Sequence, residues 1–340
     1  MYGAVLIFLS TILSFAILKA SPGSSVAIDN PRLSREYIES QKRLYGLDQP
    51  VWRQYLDWLG VPRLFGVGIT RQAKTPDGKT VSITDESPRG ILQGSFGKSI
   101  KYQQDVSTVI KSRLSATLQL NLLTLFITWA VAIPLGIYAA VHYQKIGDRI
   151  VSLISFVGMS LPGFFLALLL LWIFALNLQW LPPGNLKSLD HDKLPFWGRM
   201  LDLAHHLILP VTVLTMMSLA SLQRVCRGNM LEVLRQQYVT TARAKGLPEN
   251  KVVYRHALRN AVNPLVTILG FEFAALFGGA ALLENVINFP GMGQLLLESL
   301  RAKDQAVVMA VFLIGSVMLV LGNLLAELLL AWIDPRVTLD

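Results

Sequence analysis

Charged residues and cysteine are both scarce in this chain of 340 residues. Asp, Glu, Lys and Arg make up 16% of it, against 52% hydrophobic residues, and Cys226 is its single cysteine. One cysteine excludes an intramolecular disulfide and any cysteine-rich metal or redox site. The low charge and the mean hydropathy of +0.46 fit a polytopic helical membrane protein and fit a soluble domain poorly.

The few charges that are present are mostly basic, with 31 Lys and Arg against 22 Asp and Glu and a net charge of +9. Such a charge would suit nucleic acid, but the basic residues lie between apolar runs, where anionic lipid explains them better. No charged residue occurs in 114–144, 150–186, 203–223 or 305–326. Because about 20 apolar residues cross a bilayer core, each window predicts one span.

Two further spans complete a predicted set of six. One covers about 262–287 and contains one acid, Glu272, and the other is the first apolar run. That run could instead be a signal peptide, but it lacks a basic segment ahead of it, and the residues around Ala20 make a poor cleavage site. The six spans are predicted at about 1–20, 114–141, 150–176, 205–225, 262–287 and 305–332.

The short loops predict the orientation of the chain. The loop 142–149 contains Lys145 and Arg149, and the loop 224–260 contains eight Lys and Arg against two acids. Both loops belong on the cytoplasmic side by the positive-inside rule, which also puts both termini there. The segment 21–110 then lies outside despite its many basic residues, because long loops cross the membrane largely regardless of charge.

We therefore divide the chain into a first transmembrane helix at 1–20, an outer subdomain at 21–110 and a five-helix core at 111–335. In the subdomain, Ser34–Tyr45 is predicted to be a helix that ends at Gly46, and Pro50–Leu59 an amphipathic helix suited to the lipid surface. Residues 68–93 are polar, with a Pro-Asp-Gly turn at 76–78, and predict a β-hairpin within an insertion at about 61–93.

The most informative segment is the basic stretch 238–264, YVTTARAKGLPENKVVYRHALRNAVNP, within a cytoplasmic loop at 226–263. A helix is predicted from Tyr238 to Lys245, Gly246 breaks it, and Pro248 starts a second helix that continues to Asn260. Glycine at such a break allows a positive φ. Two short helices at an angle form a knob that suits a groove on another protein, or else an amphipathic pair lying on anionic lipid.

Here the chain resembles the permeases of ABC importers, in their dipeptide/oligopeptide/nickel branch. The sequence TTARAKG at 240–246, followed after nine residues by HALRN at 256–260, is similar to the EAA-type loop of that family. The other motifs that match in order are ASPG at 20–23, YGLDQPVWRQYLDWL at 45–59, GSFGKSI at 94–100, RLSATLQL at 113–120, IPLGIYAA at 133–140, SLPGF at 160–164, LPPG at 181–184, HHLILPV at 205–211, GGAALLEN at 278–285, FPGMG at 289–293 and DPR at 334–336. The resemblance covers nearly the whole chain, with a longer outer segment than the family usually has.

The resemblance implies an all-α fold of six transmembrane helices, that of a type I ABC importer permease in the bacterial inner membrane. It implies as partners a second homologous permease, two ATPase subunits that hydrolyse the ATP, and an extracytoplasmic substrate-binding protein. It implies no catalytic residue, cofactor, metal or nucleic acid for this chain. Di- and oligopeptides are favoured as cargo because they are frequent in the family, while nickel or another small chelate remains an alternative.

The resemblance also implies which residues couple the chain to the ATPase. They are Thr240, Thr241, Ala242, Arg243, Ala244, Lys245, Gly246, Arg255, His256, Arg259 and Asn260. In this scheme Gly246 permits the turn, the four basic side chains orient the loop on the ATPase, and the two alanines pack into its groove.

A second group of residues interrupts the predicted spans and predicts a translocation pathway lined by spans two to five. Its members are Pro134, Pro162, Gly163, Gly278 and Gly279, with Glu272 as the one deep acid. Kinks and small residues suit helices that move, although tight packing alone explains them equally well. An ion-coupled carrier that uses Glu272 as a proton relay is the alternative from another class.

Two other motifs point to chemistry only weakly. GSFGKS at 94–99 is similar to the end of a phosphate-binding loop, but Leu92 stands where the pattern needs its first glycine, and the predicted topology puts the motif outside. His191, His205 and His206 cluster near the outer end of the fourth span, where imidazoles suit nickel or copper. Without a Cys or Met partner nearby, we interpret them as interfacial histidines.

Overall fold

The computed structural model describes residues 2–20, 39, 42, 45–61, 69–74, 80–85 and 90–333. The α-helices discussed below are α1 (Tyr2–Ala20), α2 (Val51–Leu59), α3 (Val106–Val141), α4 (Ile146–Ser160), α5 (Gly163–Leu170), α6 (Phe196–Leu234), α7 (Gln237–Ala244), α8 (Glu249–Lys251), α9 (Leu258–Ala261), α10 (Asn263–Ala275), α11 (Ala281–Val286), α12 (Met292–Arg301) and α13 (Gln305–Ile333). Helix α5 continues as a π-helix at Leu171–Asn177, and a second π-helix joins α8 to α9 at Val252–Ala257. The fold is nearly all helical, as predicted.

Four of the described helices are long and apolar enough to cross a membrane: α1, α3, α6 and α13. They coincide with the predicted spans one, two, four and six. Helix α6 runs for 39 residues, about 58 Å at 1.5 Å per residue. It therefore extends well beyond a hydrocarbon core of about 30 Å.

The third predicted span, 150–176, is bent rather than straight. Helices α4 and α5 meet at an angle of 100°, across Leu161 (φ −104°, ψ 138°) and Pro162. A proline disfavours helical geometry in the residue before it and lacks the N–H that would continue the helix. Periodicity reveals the apolar run but not the direction change within it.

The fifth predicted span, 262–287, is interrupted. Helix α10 ends at Ala275 after 13 residues, about 20 Å, and α11 begins only at Ala281. The break contains Gly278 and Gly279, which have no Cβ to pack along a continuous helix. The span predicted over 262–287 is thus present as two helices, and its interruption lies at the two glycines that were predicted to interrupt it.

The predicted β-hairpin is present. Strands β1 (Ile69–Lys74) and β2 (Thr80–Asp85) pair antiparallel, with Ile69 opposite Asp85 and Lys74 opposite Thr80. The predicted turn at 76–78 and the DPR motif at 334–336 lie outside the described residues, as does nearly all of the predicted helix Ser34–Tyr45.

The chain divides into two compact units. The first comprises 1–114 and 295–317. In it, α1 packs against α2, where the Thr11 and Tyr55 hydroxyls hydrogen-bond at 2.8 Å and Lys19 donates to Gln54 at 2.5 Å. Helix α2 ends at Gly60, whose φ of +84° suits glycine.

The GSFGKSI motif belongs to this first unit. The Ser99 hydroxyl donates to the Asp304 carboxylate at 2.5 Å, and the Lys101 backbone N–H donates to the same oxygen at 3.0 Å. Asp304 is fully buried and lies just before α13. The motif thus fastens its loop to the start of a helix, and Ser99 is engaged with a carboxylate rather than free for a phosphate.

The second unit comprises 115–294 and 318–340. Its core has two parts. One holds Leu120 of α3, Leu166 of α5, Val213 of α6 and Phe289 among its buried residues. The other, the inner cluster, contains Ala132, Ile137, Ala140, Leu222, Cys226, Met230, Val253, Ala257, Ala261 and Leu265. Helices α3 and α6 both contribute to the two parts and link them.

Candidate functional site

The basic loop after α6 forms the predicted pair of helices. Helix α7 ends at Ala244, Gly246 takes a φ of +76°, and the chain then turns into α8, the π-helix and α9. A positive φ is costly for residues with a Cβ. The predicted break at Gly246 and the renewed helix after Pro248 are both confirmed.

Buried side chains anchor α7 to the rest of the unit. Val239 and Ala242 on the inner face of α7 pack with Val252, and partly buried Val233 and Leu234 at the end of α6 cover them. This small cluster joins the loop to α6. Ala242 is 7% exposed, so it packs within its own chain, which revises the role that the resemblance implied for it.

The second half of the loop is anchored through the inner cluster. Val253, Ala257 and Ala261 are buried there against Cys226 and Met230 of α6. Helix α3 contacts the same cluster closely, since a Cβ on Gly136 would lie 2.7 Å from Cys226 Cβ. The loop is therefore a rigid extension of α3 and α6, and a displacement of the loop has to displace those helices.

The other face of the loop is open to solvent. The exposed residues include Thr240, Thr241, Arg243, Ala244, Lys245, Gly246, Arg255, Arg259 and Asn260, while His256 is half-buried. Ten of the eleven predicted coupling residues thus have access to solvent, and two large aromatic side chains, Tyr238 and Tyr254, are exposed beside them. The structure brings the predicted residues together on one basic knob.

Polar contacts fix the shape of this knob. Arg243 donates to the Glu249 carboxylate at 2.7 and 3.2 Å across the Gly246 turn. This hydrogen bonding lowers the pKa of Glu249, although burial acts in the opposite direction. The Asn260 amide donates to the Tyr238 hydroxyl at 2.7 Å and so ties the end of the loop to its beginning.

The residues predicted to line a pathway occupy bends and close contacts of the second unit. Pro134 lies inside α3, and Pro162 precedes α5 at the 100° bend. A Cβ on Gly163 would lie 2.3 Å from the Met217 sulfur. On Gly279 it would lie 2.1 Å from the backbone nitrogen of Gly293, whereas on Gly278 it would meet nothing closer than 3.5 Å. Gly279 is thus required by packing, and Gly278 is not.

Glu272 lies beside a cavity of about 230 Å³ in the second unit, open on one side. Gly278 and Gly279 line the same cavity, which also borders α3 and α6. The Trp129 indole N–H donates to the Glu272 carboxylate at 2.5 Å. Of the predicted pathway residues, Glu272, Gly278 and Gly279 meet at one place.

The three histidines do not converge on one point. The His191 ring nitrogen contacts the Asp202 carboxylate at 2.7 Å. The His206 ring nitrogen contacts the Asp202 backbone carbonyl at 2.8 Å and lies 3.4 Å from its carboxylate. His205 contacts the Trp180 carbonyl at 2.8 Å. Among the described residues, no group of three His, Cys, Asp or Glu is placed to hold a metal ion. Asp202 serves instead to hold two of the imidazoles against the end of α6.

An ion pair that the sequence did not reveal joins α4 to α6. The Arg227 guanidinium donates to both Asp148 oxygens, at 2.7 and 2.8 Å, and the Gln144 backbone N–H donates to one of them at 3.0 Å. The side chain of Asp148 is 5% exposed and that of Arg227 is 25% exposed. Two charges 79 residues apart give no pattern in a single sequence, so only the fold shows this contact.

We expect Asp148→Asn to destabilise the protein by about 1–3 kcal/mol, because it leaves a partly buried guanidinium without its counter-charge. Thermal unfolding in detergent measures this loss. Asp190→Asn is the matched control, since Asp190 and Lys193 form an ion pair with both side chains more than 70% exposed, and such pairs contribute about 0–1 kcal/mol. Equal stability of both variants would contradict the role of the Asp148–Arg227 pair.

Residues 132–339 match the family model of the binding-protein-dependent transport system inner membrane component. The chain belongs to this family. Among its curated relatives is the oligopeptide transport system permease protein AppB of Bacillus subtilis (strain 168), 37% identical over 330 residues, which covers 96% of this chain and 93% of that protein. The dipeptide transport system permease protein DppB of Escherichia coli (strain K12) is 32% identical over 346 residues, with the same coverage.

The fold of this permease has a solved counterpart. It is similar to a chain of the MetNI methionine ABC transporter in an inward-facing conformation, with a TM-score of 0.54, 16% sequence identity and coverage of 67% of this chain and 97% of that one. That likeness shows the type I importer permease fold. The family, the fold and the apolar helices together establish a multi-pass inner-membrane transport protein.

Proposed function

We propose that this permease is one of two homologous transmembrane subunits of an ATP-driven importer of di- and oligopeptides. Its relatives of 32–37% identity over nearly the whole chain are named as oligopeptide and dipeptide permeases. Two ATPase subunits bind its cytoplasmic face, and an extracytoplasmic binding protein delivers the peptide. Both termini lie in the cytoplasm, and ATP is hydrolysed by the partner subunits.

The observation that carries this proposal is the exposed basic knob at 238–260. The outer face of this helix pair is charged and exposed, while two buried clusters anchor its inner face to the rest of the unit. Basic side chains and two exposed tyrosines on its outer face suit a protein partner, because aromatic residues and Arg are enriched at interfaces. The ATPase is the partner that such a knob serves in an importer.

The knob can act as a lever because of what it is fastened to. When the two ATPase subunits close on ATP, they move the knob. The small cluster around Val239 transmits the movement to α6, and the inner cluster transmits it to α3 and α6. Two-state movement of packed elements, rather than gradual deformation, is the usual response of close-packed helices. Here α6 also contacts the bent pair α4 and α5, including a close approach in which a Cβ on Gly158 would lie 2.4 Å from the Met216 carbonyl oxygen. Residues of the pathway around Gly163 and Gly279 thereby change access between the two sides.

Co-purification tests the proposal. The tagged chain is extracted from its native membrane in mild detergent, its partners are identified by mass spectrometry, and ATP hydrolysis is measured after reconstitution in lipid. We expect a second homologous permease and ATP-hydrolysing subunits in near-equal amount. A stable, monodisperse chain that brings down no ATPase subunit would contradict the proposal.

A further inference from the structure

The cavity beside Glu272 has a lining rich in hydrogen-bond acceptors. Helix α3 contributes Asn121, Thr124 and Thr128, helix α6 contributes Ser218, and helix α10 contributes Glu272. Leucine and alanine side chains and the glycine turn after α10 form the rest of the wall. At about 230 Å³ the cavity is smaller than the 300–1,000 Å³ typical of sites for a drug-sized ligand, so it suits one terminal group of a substrate rather than a whole oligopeptide.

Glu272 brings a carboxyl group into this cavity without a positive partner among the described residues. The neutral indole N–H of Trp129 donates a hydrogen bond to it at 2.5 Å, and no salt bridge involves it within the described ranges. An ionised carboxylate offers about four acceptor positions, of which the indole uses one. An ionisable group within a membrane-spanning segment is energetically costly, so it marks a functional site by default.

The polar groups beside Glu272 also have hydrogen-bond acceptors that are not in use. The hydroxyl oxygens of Thr124 and Thr128 are buried and have no hydrogen-bond partner in the structure. The Asn121 amide nitrogen already donates to the Leu276 carbonyl at 2.6 Å, which leaves its oxygen as an acceptor. Unpartnered buried polar groups are rare and call for an explanation. A ligand that brings several N–H donors provides one.

We propose that this cavity is a subsite of the translocation pathway that receives an ammonium group of the transported substrate. An ammonium has three donors and no acceptor, which complements one carboxylate, two hydroxyls and an amide oxygen. The source of the ammonium is the protonated amino terminus of a peptide, with a lysine side chain as the other source of the same chemistry. The inference rests on the proposed function and adds a substrate-selecting residue, Glu272, to it.

Charge-selective labelling tests the subsite without ATP. Ser218 lines the cavity and is exposed, so Ser218→Cys gives a reporter thiol, while the native Cys226 is buried and the unsubstituted complex measures its background. In the reconstituted complex, the thiol is labelled with the cationic aminoethyl or the anionic sulfonatoethyl methanethiosulfonate. We expect Glu272→Gln to lower the ratio of the cationic to the anionic rate about tenfold.

Two further variants make this measurement specific. Glu272→Asp keeps the charge and should keep the rate ratio, and Glu327→Gln removes an equal charge from an exposed position on α13 and should leave the ratio unchanged. Equal ratios for the unsubstituted residue and Glu272→Gln would overturn the proposal, as would a Ser218→Cys thiol that no reagent reaches.

Protection by peptides identifies the source of the ammonium. Tri-alanine should slow labelling of the Ser218→Cys thiol several-fold, N-acetyl-tri-alanine should not, and N-acetyl-Ala-Lys-Ala should do so only if a lysine side chain also enters. Protection that is independent of both the free amine and Glu272 would overturn the proposal. ATPase activity distinguishes a failure of the subsite from a failure of the proposed function. If the complex hydrolyses ATP but its labelling shows no charge selectivity, only the subsite proposal is refuted. If no ATPase subunits are present, the proposed function itself is refuted.

Discussion

Gly246→Val is expected to reduce peptide transport at least about tenfold while the protein remains in the membrane with its partners. The residue has a φ of +76°, and no atom lies within 4 Å of the position that a Cβ would take. The cost of a side chain there is therefore conformational rather than steric. A β-branched residue at positive φ costs about 1–2 kcal/mol or more, and the loop relieves that strain by turning α7 away from its position next to α8.

Two matched variants separate the turn geometry from the loss of a glycine. Gly246→Asn should retain most of the transport, because asparagine tolerates the left-handed region. Gly228→Ala should behave as the unsubstituted chain, since Gly228 lies within α6 near its C-terminal end and a Cβ there would meet open space. ATP-dependent uptake by proteoliposomes gives the comparison. Full transport by Gly246→Val would refute the role of the turn.

Gly279→Ala is expected to destabilise the protein by about 1–3 kcal/mol, the usual cost of overpacking. Its Cβ would lie 2.1 Å from the Gly293 nitrogen and 2.6 Å from a Glu284 carboxylate oxygen. Glu284 is completely buried and accepts hydrogen bonds from the backbone N–H groups of Ala280 at 3.1 Å and Gln294 at 2.7 Å. A methyl group at Gly279 forces this backbone apart.

The adjacent glycine provides the control for that experiment. Gly278→Ala places its Cβ no closer than 3.5 Å to any atom and should leave the unfolding temperature nearly unchanged. Thermal unfolding of both variants in the same detergent gives the difference directly. Similar unfolding temperatures for Gly278→Ala and Gly279→Ala would contradict the close contact between the turn after α10 and Gly293.

Much of the fold followed from local patterns. Charge-free windows of spanning length predicted α1, α3, α6 and α13, and the Gly246–Pro248 pair predicted the break in the basic loop, because both depend only on neighbouring residues. The hairpin insertion was likewise readable from its polar, alternating sequence. Six spans followed from the charge-free windows, the first apolar run and the stretch 262–287. The family motifs then implied the type I importer permease fold.

What the sequence did not predict depends on contacts between distant residues. The prolines and glycines that interrupt spans three and five indicated where each helix breaks. The 100° angle at Pro162 and the end of α10 at Ala275 depend on packing, so hydropathy does not predict them. The burial of Ala242 depends on Val252 folding back against α7. The Asp148–Arg227 pair joins residues 79 positions apart, and the Trp129–Glu272 hydrogen bond joins residues 143 positions apart. A single sequence contains no pattern that predicts either contact.

ATP-driven transport of peptide through this chain is the most direct expectation of the proposed function. The complex is reconstituted in proteoliposomes with its binding protein, and uptake of radiolabelled tri-alanine is measured with and without ATP and with and without an imposed proton gradient. We predict accumulation that requires ATP hydrolysis, is unaffected by the proton gradient and is lost in Gly246→Val. Uptake that follows the proton gradient without ATP, and that is lost in Glu272→Gln, would contradict ATP-driven import and identify an ion-coupled carrier instead.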